Sequence, residues 1–229
     1  GRPLLERQKS VLIQTGIHDI HVAAGYRADQ IKALGFDISI NDRFDSTNMV
    51  ATLFSALPFI KQGGDLLIAY GDIVYQQDNL EKLLACDDEI ALMIDSHWKK
   101  YWELRLDDPL QDAETLIMDK NGYITELGKK PDSYDRIQGQ YTGLIKIRAD
   151  KISEFIDFYN DLDRAGIYDG QNYDNMYITS FLQAMINEGW KIRACLVENG
   201  WLEVDTVEDL ELYENLAHTG QLQDFCQLN

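Results

Sequence analysis

The 229-residue chain sets 21 Lys and Arg against 39 Asp and Glu, a formal net charge of −18 at pH 7, which repels phosphate polymers and anionic lipid surfaces and excludes nucleic acid as a partner. Hydrophobic residues make up 45% of the chain and Pro occupies only 4 positions, too apolar for disorder. The longest apolar runs, about five residues, fall far short of the roughly 20 that span a bilayer, so no membrane association is expected.

One domain over residues 1–229 is expected, because the length supports a sizeable core and no Pro-, Gly- or Ser-rich linker divides it. Cys86, Cys195 and Cys226 are odd in number and form no Cys-x-x-Cys pair, which argues against a disulfide framework or structural zinc and points to a reducing cytoplasm. The opening Gly1-Arg2-Pro3 reads as the entry to a helix, so a further N-terminal segment is expected before it.

In chain order, Leu4, Leu5, Val11 and Leu12 recur at helical spacing over 3–15, and Gly16 supplies a left-handed stop. A short buried strand is expected over 20–24, a turn at Gly25-Tyr26, a brief helix over 28–34 and an alternating strand over 36–40. The polar loop 41–48 can cap a helix that carries Met49, Val50, Leu53, Phe54 and Leu57 on one face. Residues 66–71 form an apolar run suited to a strand covered on both faces. A helix over 78–85 and a buried strand over 89–94 follow. Residues 95–114 show no sustained period and are expected to form a loop or lid.

Residues 116–118 and 123–127 flank Asn121-Gly122, a strong hairpin signal. Strand character returns over 137–147, amphipathic helices over 151–162 and 175–187, and a strand over 191–197. The block 201–206 then leads into a helix over 207–217 capped by Thr206. Strand and helix in alternation imply right-handed crossovers and a largely parallel sheet covered on both faces, with an antiparallel element beside it.

Two strand ends carry carboxylates. Asp72, after Gly71, stands where ligands collect in an open parallel sheet and is a candidate metal ligand, although Gly71-Asp72 also reads as a simple turn with a helix cap. Glu203 and Asp205 lie two apart on an apparent strand, so both face one side. Asp72, Glu203 and Asp205 together suit Mg2+; the alternative is an exposed Glu203 and an Asp205 that only begins the last helix. Trp98, Tyr101, Trp102, Tyr141 and Trp201 could offer aromatic faces to a quaternary ammonium, aided by Asp107, Asp112 or Glu114, or could be packing. Arg105 could read a carboxylate or a sugar hydroxyl. His18, His21, His97 and His218 are scattered and read as surface or structural residues.

The order of residues 71–73, then Ile124-Thr125-Glu126-Leu127-Gly128-Lys129-Lys130, then Gly139-Gln140-Tyr141-Thr142-Gly143-Leu144, then Trp201-Leu202-Glu203-Val204-Asp205 resembles the nucleotidyltransferases that activate sugar and alcohol phosphates, most of all the phosphocholine cytidylyltransferase-like branch. The resemblance runs from Gly1 to about Leu216. It implies a Rossmann-like, three-layer fold of the glycosyltransferase-A type, with a mostly parallel mixed sheet and a small antiparallel hairpin element. It also implies attack of a phosphate oxygen on the α-phosphorus of a nucleoside triphosphate, cytidine favoured, with pyrophosphate leaving.

By the same resemblance Asp72, Glu203 and Asp205 hold Mg2+ and Lys129, or else Lys130, meets the acceptor phosphate. Thr47, Asn48 and Thr52 lie where the base-contacting loop and helix begin, and Gly71 permits close backbone approach. The acceptor falls near Trp98, Trp102, Arg105, Tyr141 and Trp201. The partners implied are a nucleoside triphosphate and a small phosphorylated acceptor, phosphocholine-like; a homodimer is left open.

The chain departs from this family at its start, where a strand, a Gly-rich phosphate loop ending in Arg and a later Pro-Lys are absent, so weak or no turnover is expected of residues 1–229 alone. The competing readings are a glycosyltransferase of similar architecture, which releases a nucleoside diphosphate, and a ligand-binding module without turnover.

Overall fold

The computed structural model of the protein describes residues 1–228. The N-terminal part runs through helix α1 (Leu4–Gln14), strand β1 (His21–Ala24), α2 (Ala28–Ala33), β2 (Asp37–Ile40), α3 (Met49–Ser55) and α4 (Leu57–Ile60). The middle contains β3 (Leu66–Ala69), β4 (Ile73–Tyr75), α5 (Gln77–Leu84), β5 (Ile90–Asp95), α6 (Trp98–Arg105), β6 (Leu116–Met118), β7 (Ile124–Leu127) and β8 (Gln140–Ile147). The chain closes with α7 (Ile152–Asp161), the short β9 (Ile167–Tyr168) and β10 (Gln171–Asn172), α8 (Ile178–Asn187), β11 (Ile192–Val197), β12 (Trp201–Glu203) and α9 (Val207–Thr219).

The central sheet has the order β11-β5-β8-β3. β11 runs parallel to β5, whereas β8 lies antiparallel to both β5 and β3. The reversal follows from how β8 is reached. The other strands enter through helical crossovers, but β8 follows the antiparallel β6–β7 hairpin and so comes in from the opposite end. Gly122 sits at φ 80° in that hairpin turn, as Asn121-Gly122 required.

Every residue of β5 is buried, and its alternation divides two cores. Ile90, Leu92 and Ile94 face a cluster with Phe54, Phe155 and Phe181, while Ala91 and Met93 face one with Trp98, Tyr101, Trp102 and Trp201. The two helical layers thus cover opposite faces of one sheet.

Three departures from the sequence reading bear on the site. Residues 98–105, expected as loop or lid, form a helix, because Trp98, Tyr101 and Trp102 at i, i+3 and i+4 all turn into the core. Asp72 does not end a strand beside a helix; it sits in a turn between β3 and the unforeseen β4, which pairs antiparallel with β12. β3, expected to be covered on both faces, is half-buried throughout. A cavity of about 910 Å³, lined by Val22 and Ala23 of β1, Leu67 and Ala69 of β3, and Leu5 and Leu12 of α1, lies along it. Among the described residues no ladder joins the parallel β1–β2 pair to the central sheet.

Candidate active site

The cavity beside β3 opens among Thr47, Asn48, Thr52, Gly71 and Asp72, which brings together the residues expected to meet a nucleotide. Buried Asn41, not singled out from the sequence, ties them: its amide donates to Thr47 Oγ1 at 2.8 Å and to Thr52 Oγ1 at 3.0 Å. Asn48 caps α3, its side chain accepting the Met49 N–H at 2.8 Å. The Gly71-Asp72 turn is pinned from α1 by buried Gln8, whose amide donates to the Tyr70 and Ile73 carbonyls at 2.8 and 2.7 Å.

The second strand end arrives beside the first. Val204 N–H donates to the Asp72 carbonyl at 3.0 Å. Asp72 is open to solvent at the turn, yet the protein around it removes enough water to raise its carboxyl above the usual range, and the charge of Asp205 adds to the rise. Two remote carboxylates therefore sense one another.

The third is differently employed. Glu203 and Asp205 both accept from Arg105, the last residue of α6, and Asp209 takes the same guanidinium at 2.8 Å. Burial pushes the Glu203 carboxyl up to about 7 against the opposing pull of Arg105. Among the described residues no group of three or more His, Cys, Asp and Glu is arranged to hold a metal ion. Asp72 and Asp205 are nonetheless hard oxygen donors of the kind Mg2+ accepts from a protein, and the half-exposed Asp205 commits one oxygen to Arg105, leaving the other free. Those two fit the ion; Glu203, paired with the same guanidinium as Asp205, is the more deeply buried of the two.

The expected aromatic cage is corrected. Trp98, Trp102 and Trp201 are 4%, 4% and 1% exposed and fill the second core. Their indole N–H groups explain part of this: Trp102 donates to Asp112 at 2.9 Å and Trp201 to Asp95 at 3.0 Å, so both rings are anchored inward. Arg105, expected to read the acceptor, is consumed by the three carboxylates.

Tyr141 is different. A register shift between β5 and β8, with Gly143 at φ 87° close against the Tyr70 ring, sets Tyr141 edge-on to Tyr70 at 5.7 Å. The Tyr141 hydroxyl is buried without a hydrogen-bond partner. Glu114 faces both tyrosines electrostatically. Its carboxyl, raised to about 7 chiefly by burial and further by Asp112 and Asp169, has no Lys, Arg or His among the groups acting on it. Tyr70 senses Glu114 as well as Asp72 and Glu203.

Lys129 follows the left-handed Gly128 and is about half exposed, its ammonium 3.3 Å from Glu126. Its backbone exchanges hydrogen bonds with Thr115, which places it one residue from Glu114. Lys130 reaches the Gln111 carbonyl. No described contact joins either lysine to Asp72 or Asp205.

No family model matches the chain. Among solved structures, the inositol-1-phosphate CTP transferase of T. maritima shares the fold with a TM-score of 0.68 at 17% identity, over 98% of this chain and 84% of that one. A putative glucose-1-phosphate thymidylyltransferase of Bacillus anthracis does so at 0.67 and 15%, over 94% and 82%. The fold is thus the Rossmann-like fold of the nucleotidyltransferases. A bifunctional protein GlmU of Marinobacter nauticus is 22% identical over 201 residues, 84% of this chain and 40% of its own length. The chain itself belongs to the cytidylyltransferase family represented by CTP:phosphoglutamine cytidylyltransferase of Campylobacter jejuni, with which it is 43% identical over 221 residues, 93% of this chain and 87% of that protein.

Proposed function

We propose that the protein transfers a cytidylyl group from CTP to the phosphate of a small acceptor that also carries an ammonium group, releasing pyrophosphate with the aid of Mg2+. The 43% identity to CTP:phosphoglutamine cytidylyltransferase carries this reading. The acceptor phosphate is largely a dianion at neutral pH, its second pKa being about 6, so it needs no general base. One of its oxygens forms a bond to the α-phosphorus while the bond to pyrophosphate breaks. The residues must align those atoms and offset the charge spreading over the phosphorus oxygens.

Thr47, Asn48 and Thr52, held in register by Asn41, serve the base. Gly71 lets the backbone approach the nucleotide. Lys129 turns from Glu126 to the acceptor phosphate. Glu114, half-buried and with no cation among the groups acting on it, takes the acceptor's ammonium beside the Tyr70 and Tyr141 rings, which supports an ammonium-bearing substrate over a plain sugar phosphate. Mg2+, when bound, offsets phosphate charge, and Asp72 with Asp205 would hold it.

The test is pyrophosphate release from CTP and Mg2+ with phosphoglutamine, phosphocholine and glucose 1-phosphate as acceptors. Turnover with an ammonium-bearing acceptor is expected, weak where residues 1–229 are assayed alone, and falls about 100-fold or more in Asp72→Asn and in Asp205→Asn, some 2.7 kcal/mol of lost transition-state stabilisation. Wild-type rates in both variants would remove the metal assignment. A preference for glucose 1-phosphate would remove the ammonium reading.

A further inference from the structure

Arg105 stands at the C-terminal end of α6, in a segment that no nucleotide chemistry required, yet it makes the densest set of ion pairs in the described chain. Its Nε donates to Asp209 Oδ1 at 2.8 Å, its Nη1 to Glu203 Oε1, and its Nη2 to Asp205 Oδ2 at 2.7 Å and to Asp209 Oδ2 at 3.1 Å. The guanidinium is only 7% exposed, and Tyr101 of the same helix lies against it at 5.5 Å. Asp209 completes the fixture by accepting the Asp205 and Thr206 backbone N–H groups at 3.1 and 3.0 Å. Glu203 is 21% exposed and Asp205 50%, so the three acids differ in what they can release.

The geometry points to Arg105 as a built-in counter-cation that withholds Glu203 from divalent ions, so that the cation-binding set of the free protein is Asp72 with Asp205. The inference rests on the Mg2+ reading above. An arginine never sheds its proton and is held here by a rigid fork of donors; with Glu203 only 21% exposed, a divalent ion that draws its carboxylate away leaves the buried guanidinium short of a partner. Asp205, which likewise gives Arg105 one oxygen, is under less restraint because it is 50% exposed and keeps access to water while paired. A site with two protein carboxylates binds the bare ion weakly and fills its remaining positions from water and substrate phosphate.

Mn2+ binding to the nucleotide-free protein, followed by the loss of its free-ion paramagnetic resonance signal and by calorimetry, reads this without any turnover. In the wild-type background Glu203→Gln is expected to leave the Mn2+ dissociation constant unchanged, whereas Asp205→Asn and Asp72→Asn each raise it by about tenfold or more. Arg105→Gln, which frees Glu203, tightens Mn2+ binding by about tenfold, and adding Glu203→Gln to it cancels the gain.

A loss in Glu203→Gln as large as in Asp205→Asn overturns the proposal. So does a folded Arg105→Gln with unaltered affinity, or a gain that survives Glu203→Gln. If circular dichroism finds Arg105→Gln unfolded, the comparison of Glu203→Gln with Asp205→Asn decides alone. Mn2+ binding absent from both the wild type and Arg105→Gln sinks the metal reading itself, a result distinct from binding that ignores Arg105.

Discussion

Asp95 is the residue on which the placement of the second carboxylate strand depends. It closes β5 with no exposed surface, and its carboxyl group accepts three N–H donors. Oδ1 takes the backbone N–H of His97 at 2.8 Å and that of Asn199 at 3.0 Å, and Oδ2 takes the Trp201 indole at 3.0 Å. Asp95→Asn keeps the size but not the three acceptances. If the amide oxygen stays with the two backbone donors, the amide nitrogen meets the Trp201 N–H, and two donors face each other. Losing one bond to a charged acceptor in the interior costs about 1.5–3 kcal/mol, so Asp95→Asn is expected to cost about 2–3 kcal/mol.

Trp201→Phe removes the opposing donor. The further loss from Asp95→Asn in that background should therefore shrink by about 1–2 kcal/mol, a coupling typical of side chains in contact. Urea unfolding followed by far-ultraviolet circular dichroism measures all four proteins of the cycle. An Asp95→Asn cost below about 0.5 kcal/mol, or equal costs in both backgrounds, would refute the reasoning. Because β12, which Trp201 opens, leads into Asp205, Asp95→Asn should also weaken Mn2+ binding.

Two further outcomes follow from the same geometry. Glu114 has its carboxyl raised from 4.5 to about 7 by burial, so between those values the native protein holds a proton that the unfolded chain has lost. Its contribution to stability therefore declines as pH rises from about 4.5 and levels off above about 7. Glu114→Gln should flatten the unfolding free energy between pH 5 and 8 relative to the wild type, and parallel profiles would contradict the assignment; the acceptor KM of the wild type should fall over the rise through about 7, as the carboxylate forms. Gln8→Ala strips two donors from the carbonyls that bracket Gly71-Asp72. It should cost about 2 kcal/mol and lower turnover in step, and full activity at reduced stability would show that the turn needs no support from α1.

Much of the architecture was legible because it is written in local periods. The apolar run before Gly71, the hairpin at Asn121-Gly122, and the capping of α9 by Thr206 with Asp209 each depend on neighbours a few residues apart. Even α6 was readable from Trp98, Tyr101 and Trp102, had their spacing been weighed above the surrounding charge. The family likeness singled out Asp72, Glu203 and Asp205 as candidates, and the structure brings Val204 to the Asp72 carbonyl from far along the chain.

What only the tertiary structure decided is how those groups are employed. A Trp on a sequence is equally a ligand face or a core filler; the remote, buried acceptor Asp95 anchors Trp201 inward, and Trp98 and Trp102 pack into the same core. Glu203 and Asp205 look alike two residues apart, yet Arg105, about a hundred positions earlier, takes one oxygen of each while the fold buries Glu203 and leaves Asp205 half in solvent. Charge pairing and desolvation depend on three-dimensional neighbours, which carry no period along the chain. The sequence by itself determined the strands, helices and candidate acids; long-range electrostatics chose among them.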